Sequence, residues 1–180
     1  MQPTVFPTLI TEEKMLSLGV TACAAISTRE VVFSSEVRDI CAGGSCRRYG
    51  TTWACPPAVG SFDDCRNRIL SYDTALIFAA RYELEDSFDY EGMVQAHGDF
   101  KALCDRIWEH LEPPYLMLGN EGCIRCGMCT YPTEPCRFPE KLFPSLEGYG
   151  VLVGQTAKKA GIPYHFGPNT VAYFGMICYS

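Results

Sequence analysis

Four cysteines between residues 123 and 136 have the residue type and the spacing that metal chemistry needs. They are Cys123, Cys126, Cys129 and Cys136, so that three follow at two-residue intervals and the fourth comes after six further residues. This spacing lets one loop point four thiolates inward, as an iron-sulfur cubane requires. Gly127 would allow the backbone to turn, while Pro132 and Pro135 would stiffen the return path. We therefore predict a metal site in this loop, and we refer to its thiols as the four-cysteine group.

Zinc is the alternative metal for this loop, because a Cys-x2-Cys pair is also half of a zinc ribbon. A tetrahedral zinc usually takes two ligands from each of two separate turns, which leaves the third closely spaced cysteine without a role. A cluster with several irons gives that third sulfur a partner. The spacing favours iron-sulfur over zinc, and both over cysteines that bind nothing.

A second set of thiols lies in the glycine-rich stretch 41–57. It consists of Cys41, Cys46 and Cys55, which we refer to as the three-cysteine group. The glycines would let this loop fold closely around a ligand, and Pro56-Pro57 ends it. No fourth ligand is obvious. With a fourth ligand the site would suit electron transfer, whereas without one an iron would stay open to substrate, and Lewis-acid or redox catalysis becomes possible.

The other four cysteines are expected to pack in the core: Cys23, Cys65, Cys104 and Cys178. Cys65 and Cys104 lie on apolar stripes of predicted helices, where a thiol behaves as a small hydrophobic group. Cys65 is also an alternative candidate for completing the three-cysteine group. We predict His97 and His110 to be surface or rim residues, and His165 is the one histidine in a predicted loop.

Cationic and aromatic side chains accompany both groups. Arg47 and Arg48 follow Cys46, and Arg125 and Arg137 belong to the four-cysteine loop. Because a cluster on four thiolates is anionic, these arginines could stabilise it and raise its reduction potential. Alternatively they are solvated or pair with the glutamates Glu121, Glu134 and Glu140. Four aromatic residues could shield a cluster from water or simply pack: Tyr49, Trp53, Tyr131 and Phe138.

Composition limits the class of protein. A chain of 180 residues with 47% hydrophobic and 20% charged residues can bury one core, so we expect a single metal-binding domain over 1–180. The net charge of −6 argues against a nucleic-acid partner. No apolar run suits a membrane span and Met1 to Lys14 lacks a signal-peptide pattern, which predicts a cytoplasmic protein. Eleven cysteines in a reducing compartment fit metal ligation better than disulfides.

Apolar periodicity predicts the elements that must position these thiols. Helices are expected at 11–19, 62–70, 89–111, 144–149 and 153–160, and strands within 20–34 and at 73–82, 115–118 and 171–179. Interleaved helices and strands predict an α/β or α+β fold. We expect one compact sandwich of helices on a mixed sheet, with the cysteine loops 41–57 and 123–139 at one end. The strand order is not predicted.

Several longer motifs carry a resemblance to a known family. They are Cys46–Gly50, Trp53–Pro57, Cys123–Cys126, Cys129–Pro132, Pro135–Lys141, Pro144–Gly150 and Thr156–Gly161. From about Cys41 to the C-terminus the chain resembles an uncharacterised family of predicted metal-binding proteins, domain of unknown function 2284. The resemblance implies a small cytoplasmic cysteine-rich protein of anaerobic bacteria and archaea and supports the division into two ligand groups. It implies no reaction and does not decide between iron-sulfur and zinc.

Together these features predict an iron-sulfur protein that holds one or two 4Fe-4S clusters and transfers electrons to or from a redox partner protein. Two alternatives from other classes stay open. One is a zinc-stabilised interaction module without redox chemistry, and the other is an enzyme that uses an open cluster iron at the three-cysteine group. The sequence does not predict an oligomeric state.

Overall fold

Four strands form one antiparallel sheet in the computed structural model, which describes residues 10–180. They are β1 (Ala22–Ser27), β2 (Thr74–Glu83), β3 (Leu116–Leu118) and β4 (Thr170–Tyr179), in the spatial order β1-β2-β4-β3. The two ten-residue strands β2 and β4 pair along their whole length at the centre. The α+β class is confirmed. All pairings are antiparallel, whereas a mixed sheet was expected, because connection lengths alone do not reveal strand direction.

Five α-helices surround this sheet within the described residues. They are α1 (Glu12–Leu18), α2 (Ser35–Ala42), α3 (Phe62–Leu70), α4 (Tyr90–Trp108) and α5 (Val153–Lys159), with 3-10 turns at Thr28–Glu30 and Pro139–Lys141. The predicted caps of α1 are confirmed, since the Thr11 side chain accepts a hydrogen bond from the Lys14 N–H and Gly19 adopts the left-handed conformation. Ser61 and Asp64 cap α3 reciprocally, so this helix begins where the sequence predicts.

The core lies on both faces of the sheet. Leu76, Phe78 and Ala80 of β2 pack in one cluster with residues of α1 and α4, and the intervening β2 residues pack in another with α3 and α5. This alternation follows from the two-residue side-chain period of a strand. Because β2 is apolar at nearly every position, it suits a central strand covered on both faces.

The structure differs from the prediction at two places, one predicted helix that is absent from the described residues and one helix that was not predicted. The predicted helix 144–149 is a series of turns, since the Ser145 N–H bonds to the Ala54 carbonyl and the Leu146 N–H to the Gly119 carbonyl, outside any helical pattern. Helix α2 was not predicted, because it is short and its larger apolar residues, Val37, Ile40 and Cys41, line the wide cavity without being buried in the core. Cys41 therefore lies in the last turn of a helix instead of in a loop.

The longest helix within residues 10–180 is α4, whose 19 residues pack Phe100, Leu103 and Ile107 against the sheet. In that same range no helix is both long and apolar enough to cross a bilayer. The signal-peptide prediction rests largely on residues 1–9, which lie outside the described part of the chain.

Candidate metal centre

The four-cysteine group lies in irregular chain between β3 and the last 3-10 turn. All four thiols line one narrow cavity of about 20 Å³, and Trp53 from the other cysteine loop lines it too. Hydrogen bonds close the loop on itself. The Thr130 hydroxyl donates to the Pro135 carbonyl over 2.9 Å, and Arg137 Nη1 donates to the Met128 carbonyl over 3.0 Å. The four thiols predicted as ligands thus face a shared space.

Arg125 is held at this cavity by helix α4. Its Nη1 donates to Asp105 Oδ2 over 3.0 Å, and its Nη2 donates to the other oxygen of that carboxylate and to the Lys141 carbonyl. The hydrogen bond to Asp105 raises the pKa of Arg125. Arg125, Arg137 and Lys141 all line the cavity, so cationic side chains surround the thiols. Within residues 10–180 the arginines form no ion pair with the three glutamates expected as partners, Glu121, Glu134 and Glu140.

The three-cysteine group lines a wider cavity of about 520 Å³. Cys41 comes from the last turn of α2 and Cys46 from the turn that follows it. Cys55 is buried, with its Sγ 3.6 Å from Ser145 Oγ. Arg48 also lines the cavity. The three predicted thiols therefore share one space, and it is distinct from the space that the four-cysteine group lines.

Burial and repulsion oppose the ionisation of two of these thiols, Cys41 and Cys55. Burial raises the pKa of Cys41 and of Cys55, and the neighbouring Cys46 and Glu147 raise both pKa values further. The hydroxyl of Ser145 acts against this at Cys55 by hydrogen bonding to its sulfur. Since a metal ligand must be a thiolate, a cation in the cavity is what would bring these groups into the ionised form.

Glu147 is a candidate that sequence reasoning missed. Its side chain lines the wide cavity, Oε1 accepts a hydrogen bond from Asn120 Nδ2, and Oε2 accepts one from the Glu121 N–H over 3.3 Å. Burial raises the pKa of this carboxyl. Asn120 is itself held between elements, since a β4 backbone N–H donates to its Oδ1 and Lys101 Nζ donates to its carbonyl. The available signal was the motif Pro144–Gly150, which was interpreted as a helix.

The turn that carries Glu147 packs directly on the Cys55 loop. The Ser145 N–H donates to the Ala54 carbonyl over 2.9 Å, and Ser145 Oγ accepts a hydrogen bond from the Gly148 N–H over 3.0 Å. A Cβ at Gly148 would lie 2.5 Å from Ser145 Oγ and 2.9 Å from Pro56 Cδ, so only glycine fits. This close packing positions Glu147 beside the three-cysteine group.

The two cysteine loops lie side by side, as expected. Gly122, the residue before the four-cysteine group, has φ +73°, and a Cβ there would lie 2.7 Å from Cys55 Sγ. Trp53 Nε1 donates to the Glu134 carbonyl over 3.1 Å, and its ring meets Tyr131 edge to face at 4.9 Å between centroids. Each loop thus supports the other, and Trp53 belongs structurally to the four-cysteine cavity.

The thiols surround space without converging on one point. Within residues 10–180, no group of three or more His, Cys, Asp or Glu side chains is arranged to hold a single metal ion. A mononuclear zinc site places every ligand sulfur about 2.3 Å from the same ion. The donor set of each cavity is nevertheless the thiolate-rich one that iron-sulfur clusters and zinc both take.

The remaining cysteines lie where packing was expected. Cys65, Cys104 and Cys178 are buried in the two core clusters, and Cys23 is half-buried against one of them. Cys65 lines neither cysteine cavity, so it does not complete the three-cysteine group. His97 differs from the prediction of a surface or rim residue, because only 12% of its side chain is exposed. Burial lowers its pKa to about 4, so it is neutral at pH 7 although it lies 3.8 Å from a glutamate oxygen.

Comparisons with known proteins give one match. No curated protein and no solved structure matches the chain. The family described as "predicted metal-binding protein (DUF2284)" matches residues 24–179, which include both cysteine groups and the Glu147 turn. This agrees with the resemblance drawn from the motifs. Since the match extends over most of its length, the chain belongs to the DUF2284 family of predicted metal-binding proteins.

Proposed function

We propose that this protein is an iron-sulfur protein with two centres and that it transfers electrons to or from a redox partner protein. A 4Fe-4S cluster would be held by Cys123, Cys126, Cys129 and Cys136, and a second cluster by the three-cysteine group with one further ligand. When bound, such clusters supply a one-electron redox couple. The observation that carries the proposal is the narrow cavity lined by four thiols and by Arg125, Arg137 and Lys141.

The charges around the four-cysteine cavity support an anionic occupant. Three cationic side chains line it, and Arg125 is anchored there by two hydrogen bonds to Asp105. A buried cluster on four thiolates needs such compensation, because uncompensated buried charge is costly. Trp53 and Phe138 also line the cavity and place aromatic surface beside the thiols.

The spacing of the thiols along the chain supports a cluster over zinc. A single zinc ion requires its ligands to converge, whereas a cluster takes each thiolate on a different iron. Cys123, Cys126 and Cys129 follow one another at two-residue intervals, which leaves one of them surplus to the paired turns of a zinc ribbon. This spacing favours a multi-iron occupant in the four-cysteine cavity.

The adjacency of the two cavities supports a relay of electrons. Gly122 joins the four-cysteine loop to Cys55 at contact distance, and Trp53 reaches from one loop to line the cavity of the other. Two redox centres in neighbouring loops would lie close enough to exchange electrons within the protein. A redox partner protein could then exchange electrons with either centre.

Anaerobic purification tests the proposal. The full chain should be brown and should contain iron and acid-labile sulfide in equal amounts, and exposure to air should bleach it. A colourless protein with stoichiometric zinc that withstands air and unfolds with chelators would refute it and establish the zinc-stabilised module instead.

The width of the three-cysteine cavity supports a second candidate, an enzyme with an open cluster iron. Its volume of about 520 Å³ could admit a small molecule beside Cys41, Cys46 and Cys55. This candidate requires one iron without a protein ligand. A shift in the absorption spectrum of the anaerobic protein on adding small anions or thiols would support the enzyme. If the spectrum does not change, electron transfer remains the proposed function.

A further inference from the structure

Glu147 is the acidic side chain best placed to complete the three-cysteine group. We propose that its carboxylate is the fourth protein ligand of the cluster held by Cys41, Cys46 and Cys55. The inference rests on the proposed function, since it assumes that a cluster occupies this cavity. It assigns an oxygen ligand where no fourth cysteine is available.

The first support is position. Glu147 lines the cavity together with all three thiols, although it lies more than 90 residues away from the last of them in sequence. The turn that carries it is packed on the Cys55 loop through Ser145 and Gly148. The carboxylate is therefore held at the thiols by backbone packing and does not depend on a flexible loop.

The second support is charge. Cys41, Cys46, Cys55 and the Glu147 carboxyl line one space, so four groups that repel one another when ionised lie together. One cationic side chain, Arg48, also lines this space, so a single guanidinium faces four groups that can each carry a negative charge. A bound metal would convert this repulsion into attraction, because every one of the four groups is an anionic ligand when ionised.

The third support is the hydrogen bonding behind the carboxylate. Asn120 Nδ2 donates to one of its oxygens and the Glu121 N–H to the other. Carboxylates that bind metals are usually oriented by such donors, which leave further lone pairs free for the metal. Asn120 is only 8% exposed and is anchored to both β4 and α4, so it acts as a positioning residue.

Other side chains fit the role less well. Glu121 also lines the cavity, but 59% of its side chain is exposed and its carboxylate lies 3.8 Å from the neutral imidazole of His97. Ser145 Oγ is occupied by the Gly148 N–H and by Cys55 Sγ. Histidine does not line this cavity within residues 10–180. Glu121 is therefore the matched control, since it offers the same chemistry in the same cavity.

The test compares three variants of the anaerobically reconstituted full chain: Glu147→Gln, Glu147→Cys and Glu121→Gln. After mild oxidation, Glu147→Gln should lose about one iron per chain and show the electron paramagnetic resonance signal of a three-iron cluster. Glu147→Cys should keep the full iron content, and Glu121→Gln should match the wild type. Circular dichroism should show that all three are folded.

Two results separate the failure of this inference from that of the proposed function. If the wild type is brown and Glu147→Gln has the same iron content and signal, the ligand assignment is wrong while the iron-sulfur proposal stands. If Glu121→Gln loses iron equally, charge and not ligation explains the effect, and the assignment is also wrong. A colourless zinc protein would instead refute the proposed function.

Discussion

The two cysteine cavities are built in opposite ways. The four-cysteine cavity is narrow, is lined by cationic side chains, and takes all of its thiols from one loop. The three-cysteine cavity is about 520 Å³, contains two glutamates, and draws its lining from a helix, a loop and a distant turn. A local ligand set comes complete with its own charge compensation. A non-local set has to be completed by the fold, and we propose that Glu147 completes it here.

The largest expected effect separates ligands from core thiols. Cys126→Ser should remove the cluster of the four-cysteine group and leave the other centre, because one thiolate ligand is lost. Cys104→Ser, at a position that is 0% exposed, should keep both centres and cost about 1–3 kcal/mol of unfolding free energy. Iron analysis and chemical denaturation measure the two effects. Equal loss of metal from both variants would contradict the division between ligands and core.

Gly122→Ala should disturb both cavities at once. Its φ of +73° is unfavourable for alanine, and the added Cβ would lie 2.7 Å from Cys55 Sγ. We expect a loss of about 3 kcal/mol in stability and lower iron occupancy at the three-cysteine group. Gly127→Ala is the control, since nothing lies within 4 Å of a Cβ there. If both substitutions behave alike, the two loops are not coupled through Gly122.

The buried imidazole of His97 should make the stability of the folded protein depend on pH in the acid range. Burial lowers its pKa to about 4, so the folded state resists protonation that the unfolded state accepts below about 6.5. The stability that neutral His97 contributes is present above pH 6.5 and is lost as the pH falls toward 4. The free energy of unfolding should therefore fall by about 2 kcal/mol between pH 7 and pH 5. Denaturation of wild type and His97→Gln across this range measures it. A wild-type pH slope retained in the variant would show that other groups are responsible.

The smallest expected effect concerns the charge compensation that distinguishes the narrow cavity. Arg125 and Asp105 are both less than one-third exposed, and we expect a coupling of about 1 kcal/mol in a double-mutant cycle of Arg125→Gln and Asp105→Asn. Arg125→Gln should also lower the reduction potential of the adjacent cluster, because a cation is removed. Protein-film voltammetry measures this shift. An unchanged potential would mean that Arg125 serves packing alone.

Local signals in the sequence predicted much of the fold. The caps at Thr11 and Ser61 and the apolar run of β4 gave elements that the structure confirms. Helix α2 was missed because it is exposed, and 144–149 was misassigned because its donors bond to distant carbonyls. Such choices depend on tertiary packing, which a local pattern does not contain.

The contrast between local sequence signals and tertiary packing also applies to the candidate site. That the thiols of each group lie together could be predicted because their spacing is local, and their role as ligands stays a prediction. The hydrogen bonds that link Glu147, Asn120 and Lys101 could not be predicted, since they join a turn, a strand end and a helix that are far apart in sequence. His97 was misjudged for a similar reason, because its burial arises from neighbouring elements and not from the α4 pattern.

The central claim is that the chain holds two iron-sulfur centres of different ligation. Anomalous diffraction at the iron absorption edge, from crystals grown without oxygen, tests it most directly. The account predicts two iron peaks, one enclosed by Cys123, Cys126, Cys129 and Cys136, and one bound by Cys41, Cys46, Cys55 and the Glu147 carboxylate. A map without iron at either cavity, or with these cysteines joined in disulfides, would contradict it.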